Sequence, residues 1–264
     1  MNLFMRELRA NRNALIIWSV CMVLLVISGM SKYTAYSAGG ANGQIFSNLP
    51  YSIKALLGFG SFDVTTMSGY FGMLFLYIEL AAAIHAVLLG SGILSKEERD
   101  KTTEFLIVKP VSRTSILTSK LLAALVNILV LNLVSLVFSL TAVSAYNKGK
   151  GISGEIVAFM ASMLLVQLIF LSLGFALAAV LRHPKTAGSV STGVLLGSFV
   201  LSKVTDLTDK LDALNLLSPF KYFSYQDIVF GRGLHAGAVF LSLLLSAALI
   251  ACTYVFYKKR DLSI

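Results

Sequence analysis

The sequence predicts an all-α membrane protein with six transmembrane helices. Hydrophobic residues occupy 56% of the 264 positions and charged residues only 13%, whereas a soluble domain carries about 25% charged residues. Apolar segments of roughly 20 residues, the length that crosses the hydrocarbon core of a bilayer, recur along the chain. The net charge is +9, and most charged residues lie between these apolar segments. No basic face with interleaved aromatic residues is evident, so the lipid bilayer and not nucleic acid is the expected surrounding.

The first thirty residues predict an amphipathic interfacial helix followed by the first span. Residues 1–13 combine three arginines with the apolar residues Leu3, Phe4, Met5 and Leu8, a pattern typical of a helix lying on the membrane surface. Residues 14–30 form the first predicted span. A cleavable signal peptide is the alternative, because residues 35–37 loosely resemble a cleavage site. The apolar stretch is longer than the core of a signal peptide, which favours a retained span.

Five more spans are predicted, at residues 70–94, 121–143, 156–181, 186–201 and 236–257. The fifth is short and rich in small residues, with Ser189, Gly193 and Gly197 four positions apart. That spacing allows two helices to approach closely in lipid, so these three residues are predicted helix-packing positions. Residues 203–233 are more polar and predict an outer re-entrant or short helical region before the sixth span.

The distribution of basic residues predicts the orientation. With six spans and the N-terminus inside, 14 of the 22 lysines and arginines lie in inner segments, although the outer segments are longer in total. An excess of Lys and Arg marks the cytoplasmic side of a membrane protein. Both termini are therefore predicted to be cytoplasmic.

Residues 95–113 are the longest charged island between two predicted spans. Ser95 and Glu98 have the spacing of a capping box, which predicts that a new helix begins there. Residues 105–108 are apolar, and Pro110 cannot continue a helix. The pattern predicts a short amphipathic helix on the cytoplasmic side. From the residues alone, an ordinary solvated helix in a loop is an equal alternative.

A longer pattern begins in this island and continues into the third predicted span. It consists of Glu97, Thr102, Glu104, Phe105, Leu106, Pro110, Val111, Ser112, Arg113 and Lys120. This pattern resembles the segment that follows the second span of ABC type-2 transporter permeases. Lys101 departs from the pattern, because the family usually has glycine before the threonine. Residues 173–178 and 217–220 also resemble motifs of that family, so the resemblance covers most of the chain.

The resemblance implies a role for the island and for the whole chain. In that family the segment is the coupling helix, which docks on a separate ATP-binding subunit. The implied coupling residues are Glu97, Glu98, Thr102, Glu104, Phe105, Leu106, Pro110 and Arg113. The chain would be the membrane subunit of an ATP-driven exporter in the cytoplasmic membrane of a bacterium. It would pair with a second permease protomer, identical or different.

No cofactor is expected on this chain. The phosphate-binding loop G-x-x-x-x-G-K-S/T does not occur in the sequence. ATP and Mg²⁺ are therefore expected on the partner subunit, and this chain is expected to be a transport subunit rather than an enzyme. Cys21 and Cys252 both lie inside apolar segments, which indicates neither a disulfide nor a metal site.

Two strongly polar residues, Glu79 and His85, lie inside the second predicted span. An ionisable group in a span usually faces protein or water rather than lipid. Both are candidates for the translocation path, and an interhelical hydrogen bond is the alternative for Glu79. Asn127, Asn132 and Gln167 are predicted to make interhelical polar contacts.

Three other functions fit parts of the sequence. A membrane sensor or assembly subunit would dock an ATPase without transporting anything, and an ion-coupled carrier would work through Glu79. An intramembrane protease is disfavoured. Glu97 and Glu98 begin the pattern E-E-x-x-x-R of such enzymes, but Thr102 occupies the arginine position.

Overall fold

The computed structural model describes residues 3–37, 50–57, 62–100, 112–147, 151–181, 183–207 and 214–259. Within these ranges there are six helices long and apolar enough to cross a membrane, and no β-strand occurs. We label them α1 (Leu3–Met30), α2 (Met67–Arg99), α3 (Arg113–Tyr146), α4 (Ser153–Val180), α5 (Pro184–Thr205) and α6 (Ala236–Lys259). The predicted all-α membrane class with six candidate spans is confirmed.

Helix α1 is continuous where the sequence predicted two segments. It runs from Leu3 to Met30 with no interruption between the basic start and the apolar remainder. The reason is local, because no proline or glycine occurs before Gly29 and most residues of the basic start favour a helix. The prediction of a separate interfacial helix over residues 1–13 is therefore not confirmed.

Helix α2 is longer than the predicted span and passes through Ser95. Its first turn is capped by Thr66, whose side-chain oxygen accepts a hydrogen bond from the Gly69 amide at 3.1 Å. The prediction that Ser95 begins a new helix is wrong, since its hydroxyl donates to the Ser91 carbonyl at 2.6 Å within α2. A serine inside a helix bonds to the preceding turn in this way. The capping-box spacing occurs here without the break in the chain that a helix start requires.

The core of the protein is the crossing of α2 and α4. A Cβ atom added to Gly90 would overlap the carbonyl oxygen of Leu171, and one added to Gly174 would lie 2.6 Å from the carbonyl oxygen of Val87. The two backbones are therefore in direct contact, which glycine alone permits. Phe75 on α2 packs against Phe159 on α4 with ring centroids 4.6 Å apart.

Helix α5 presents its predicted packing residues outwards. Ser189, Gly193 and Gly197 are exposed, and a Cβ atom on either glycine would meet nothing within 4 Å. The buried side of α5 is formed instead by residues such as Ser191 and Leu195. Within the described part of one chain, the three predicted positions make no close helix contact. A contact with a second chain stays a prediction.

Polar contacts show which helix ends lie on the same side. The Arg113 guanidinium donates to the Lys258 carbonyl at 3.1 Å, which places the start of α3 beside the end of α6. Near the start of α2, at the end of this helix away from Arg99, the Ser68 hydroxyl donates to the Val229 carbonyl at 3.3 Å. Val229 ends a short helix that follows the 3-10 turn Pro219–Lys221. Short helical elements before the last span are thus present, on the side opposite Arg113.

Candidate coupling region and translocation path

Glu97, near the end of α2, is bound by two cations. Its Oε2 lies 2.6 Å from Nζ of Lys120 on α3, and its Oε1 lies 3.0 Å from Nη2 of Arg6 on α1. The Lys120 side chain is fully buried and also donates to the Ile93 carbonyl. Hydrogen bonds between charged groups are roughly twice as strong as neutral ones. The contacts therefore tie the end of α2 to the starts of α1 and α3.

A second carboxylate completes this group, which we call the Glu97 cluster (Arg6, Glu7, Glu97 and Lys120). Arg6 Nη2 lies 2.9 Å from Oε1 of Glu7, which is only 1% exposed. The other carboxylate oxygen of Glu7 has no hydrogen-bond partner among the described residues. Two cations and two carboxylates balance in charge. Removing one partner of a buried pair leaves the other uncompensated, which costs about 3–5 kcal/mol.

The predicted coupling residues fall into two groups. Glu97, Glu98 and Arg113 are described, and Glu97 is bound within the chain rather than presented to a partner. The others lie outside the described residues, so their roles stay predictions: Thr102, Glu104, Phe105, Leu106 and Pro110. The cluster directly precedes this segment in α2. Glu97 therefore positions helices, a role that its acidic character alone did not indicate.

Glu79 is buried in the other half of α2 and forms an interhelical hydrogen bond. It is 1% exposed, and its Oε2 accepts a hydrogen bond from the hydroxyl of Tyr225. Tyr225 begins the short helix Tyr225–Val229 before α6. Burial, followed by the neighbouring Glu79 carboxyl, raises the pKa of Tyr225 well above its ordinary value. The phenol therefore stays protonated and acts as the donor. No ion pair of Glu79 occurs among the described residues.

His85 lies on a different face of α2, against α1. It is 4% exposed, and its ring makes an edge contact with Trp18, with ring centroids 5.3 Å apart. Its Nδ1 has no hydrogen-bond partner among the described residues. His85 and Glu79 therefore do not form one site, as their spacing along the helix predicts.

The predicted interhelical amide contacts are confirmed in part. Asn132 Nδ2 donates to the Met160 carbonyl at 3.1 Å and to Gln167 Oε1 at 3.3 Å, which joins α3 to α4. Asn127 differs, since it donates to the Ala123 carbonyl one turn earlier in its own helix. The prediction was wrong for Asn127 because an amide inside a helix has an acceptor available within reach.

The sequence analysis did not predict the partners of the two buried carboxylates of α2, Glu79 and Glu97. Tyr225 lies in a polar stretch that carried no functional signal, although a buried carboxyl needs a hydrogen-bond donor. Lys120 belongs to the pattern that resembles the family, but the pattern does not indicate which residue Lys120 binds. The sequence did contain a signal for this ion pair. Glu97 lies at the end of one apolar span, and Lys120 lies directly before the next span. Asp206, which contacts Lys203 at 3.0 Å and also Lys221, was missed too.

Comparison with known proteins identifies one family model that matches nearly the whole chain. The family model described as ABC-2 family transporter protein matches residues 1–262. The match includes all six long helices and the short helical elements before α6. No curated protein matches the chain.

Proposed function

The chain belongs to the ABC-2 family of transporter proteins and is a membrane permease subunit of an ABC transporter, and we propose that it is half of an ATP-driven exporter. In this proposal two protomers form the translocation path, and a separate subunit binds ATP and Mg²⁺ on the cytoplasmic side. The side that carries the Glu97 cluster is cytoplasmic, as are both termini. The membrane is the cytoplasmic membrane of a bacterium.

The Glu97 cluster is the observation that supports coupling. It lies at the end of α2 and contains Glu97, the first residue of the pattern that resembles a coupling helix. Its charged hydrogen bonds link α2 to α1 and α3, so a force applied to the segment after Arg99 would act on three helices together. An ordinary solvated loop would need no buried ion pairs at its base, because burying a charge is unfavourable unless it is paired.

Helix α2 connects this end to the Glu79–Tyr225 hydrogen bond. The two glutamates are eighteen positions apart, which corresponds to about 27 Å along a helix. In the proposed mechanism, closure of the ATP-binding subunits moves the docked segments, and α2 transmits this movement towards Glu79. Rearrangement of the short helix that contains Tyr225 would then open the path on the outer side.

Substitution of Phe105 tests the proposal directly. Interface energy concentrates in buried apolar anchors, so Phe105→Ala is expected to release the ATP-binding subunit or to uncouple ATP hydrolysis from transport. Co-purification of that subunit and ATP turnover in lipid vesicles measure the two effects. Phe230→Ala is the matched control, since Phe230 is 57% exposed and lies near the opposite side of the protein.

Other outcomes of the same experiment would replace the proposal. Full co-purification and coupled transport in Phe105→Ala would show that the segment between α2 and α3 does not couple the chain to the ATP-binding subunit. An ATP-binding partner without any ATP-driven transport would identify a sensor or assembly subunit. Transport driven by an ion gradient in the absence of ATP would identify a carrier that works through Glu79.

A further inference from the structure

A groove between α1 and α2 lies beside the Glu97 cluster. It has a volume of about 230 Å³. Trp18 on α1 and Leu88 and Ile93 on α2 form apolar parts of its wall. Leu88 is 42% exposed and Trp18 is half-buried, so the other described helices leave this groove accessible from the side. Its volume accommodates a headgroup-sized part of a lipid rather than a whole lipid.

The two ends of the groove differ in charge. Lys96 and Arg99 line the end near the helix terminus, and His85 lines the deeper part. Lys96 is half-buried and makes no ion pair with a described residue. Arg99 contacts Asp100 through Nε at 3.2 Å. The terminal amino groups of Arg99 make no ion pair within the described ranges, so two cationic groups lie at this end.

The acidic residues of the adjoining cluster do not cancel this positive charge. Glu97 is bound by Lys120 and Arg6, and Glu7 is bound by Arg6. Asp100 offsets the charge of Arg99, but Lys96 makes no ion pair with a described residue, so this end of the groove keeps an excess of positive charge. An anionic group complements that end.

His85 provides a second and independent indication of a ligand. Its imidazole is 96% buried, yet Nδ1 has no hydrogen-bond partner among the described residues. A buried polar atom left without a partner costs about 1–3 kcal/mol, so nearly all such atoms are paired in native proteins. Nδ1 is closed to solvent in this orientation of the ring, so a molecule in the groove provides the missing partner after a rotation of the imidazole, which lines the groove.

Gly92 keeps the middle of the groove open. It lines the groove between Lys96 and His85, and a Cβ atom added there would meet nothing within 4 Å. This differs from Gly90 two positions earlier, where an added Cβ would overlap backbone of α4. The space beside Gly92 is therefore not required for helix packing.

We infer that this groove binds the phosphate and ester region of an anionic phospholipid from the surrounding bilayer. The phosphate lies at Lys96 and Arg99, an ester carbonyl accepts a hydrogen bond from His85 Nδ1, and the acyl chains leave past Leu88. Lys96 and His85 are eleven positions apart, about 16 Å along the helix, and the long lysine side chain shortens the distance that the lipid has to cover. The bound lipid holds α1 against α2 next to the Glu97 cluster.

Lipid retention by the purified full-length protein tests this inference. The probes are dioleoyl phosphatidylglycerol, which is anionic, and dioleoyl phosphatidylcholine, which has no net charge, and native mass spectrometry measures the bound fraction of each. A Cβ atom added at Gly92 meets nothing within 4 Å, so Gly92→Trp places a large side chain at the groove and should lower retention of phosphatidylglycerol at least tenfold. Gly237→Trp is the matched control, because an added Cβ there also meets nothing within 4 Å.

Charge variants test the position of the phosphate. A basic residue near an anionic lipid contributes roughly fivefold in binding, so Lys96→Gln and Arg99→Gln should each reduce the preference for phosphatidylglycerol by about that factor. Lys258→Gln is the control, since Lys258 is an exposed lysine on the same side of the protein. Unchanged preference in both groove variants would overturn the inference.

His85→Phe separates lipid binding from folding. Phenylalanine keeps the ring beside Trp18 but cannot form the hydrogen bond. Melting of the delipidated protein in detergent should not fall, because no buried nitrogen is left without a partner. The rise in melting temperature on adding phosphatidylglycerol should shrink. An unchanged lipid-dependent rise would show that His85 does not contact the lipid and would overturn the assignment.

Equal retention of the two lipids by the wild-type protein would also overturn the inference, because it would remove the anionic selectivity. This measurement needs neither the ATP-binding subunit nor Phe105, so failure of this inference is distinguishable from failure of the proposed function.

Discussion

Helix α2 carries two buried carboxylates whose surroundings differ. Glu97 is bound by two cations, Lys120 and Arg6, whereas Glu79 accepts a hydrogen bond from one phenol, Tyr225. The ion pairs between three helices fix their relative positions, because Lys120 and Glu97 are buried together and Arg6 binds the second oxygen of Glu97. A single neutral donor on a short helix can exchange its acceptor at lower cost. The comparison indicates that the Glu97 end of α2 is firmly attached to α1 and α3, whereas the Glu79 end is able to rearrange.

The same comparison predicts different consequences when each carboxylate is removed. Without Glu97, the ammonium group of Lys120, which is fully buried, loses its counterion. Without Glu79, only the hydroxyl of Tyr225 loses a partner. An uncompensated buried charge is more unfavourable than an unpaired buried hydroxyl. Stability measurements should therefore distinguish the two sites.

The largest expected contrast is in accessibility from the two sides of the membrane. In a protein without its native cysteines, Phe230→Cys should react with an impermeant maleimide added to intact cells, because it lies near the Tyr225 side. Asp100→Cys and Lys259→Cys should react only after the membrane is opened. Labelling of Asp100→Cys in intact cells would reverse the proposed orientation. The Glu97 end of α2 would then not face the cytoplasm and could not contact a cytoplasmic ATP-binding subunit.

Removal of Lys120 or Glu97 should have the largest effect on stability. Glu97→Met should lower the free energy of unfolding by about 3–5 kcal/mol, because the buried ammonium group of Lys120 loses its counterion. Lys120→Met should lower it by less, because Glu97 keeps its contact with Arg6. The double variant should recover much of this loss, since two apolar side chains replace the pair. Thermal melting in detergent measures the three variants. A double variant no more stable than either single one would contradict the pairing.

Removal of the Glu79–Tyr225 hydrogen bond should have an intermediate effect. Glu79→Leu and Tyr225→Phe should each cost about 1–3 kcal/mol, and their combination should cost less than the sum of the two. Glu79→Gln keeps an acceptor and should melt near the wild type. If Glu79 takes part in the path, this variant should nevertheless change substrate-stimulated ATP hydrolysis. Additive losses would show that the two residues act independently.

Substitution of Glu98 should have the smallest effect. Glu98 is the next residue after Glu97 in α2, but it is only half-buried. Pairs of partly exposed charges contribute about 0–1 kcal/mol, so Glu98→Ala should leave melting almost unchanged. Co-purification of the ATP-binding subunit should fall less than in Phe105→Ala. A loss of stability as large as that of Glu97→Met would contradict this prediction. It would show that the difference in burial between Glu97 and Glu98 does not determine their contributions to stability.

The two glycine pairs show which part of helix packing the sequence could predict. Gly193 and Gly197 have the expected four-residue spacing but lie on an exposed face of α5. Gly90 and Gly174 lie in different helices, so no spacing within one segment connects them, yet they form the central contact of α2 and α4. Small residues indicate that a close approach is possible. Which helix approaches depends on the rotation of each helix in the folded protein.

The sequence by itself determined the class, the six spans and the family resemblance of this protein. Hydropathy acts on each segment separately because the bilayer is the solvent, so these properties can be read along the chain. The tertiary structure alone decided that Ser95 lies inside α2 and that Glu97 binds Lys120 and Arg6. It also decided that Glu79 binds Tyr225. These contacts join residues far apart in sequence, and they form only once helix rotation and depth are set by packing against other helices.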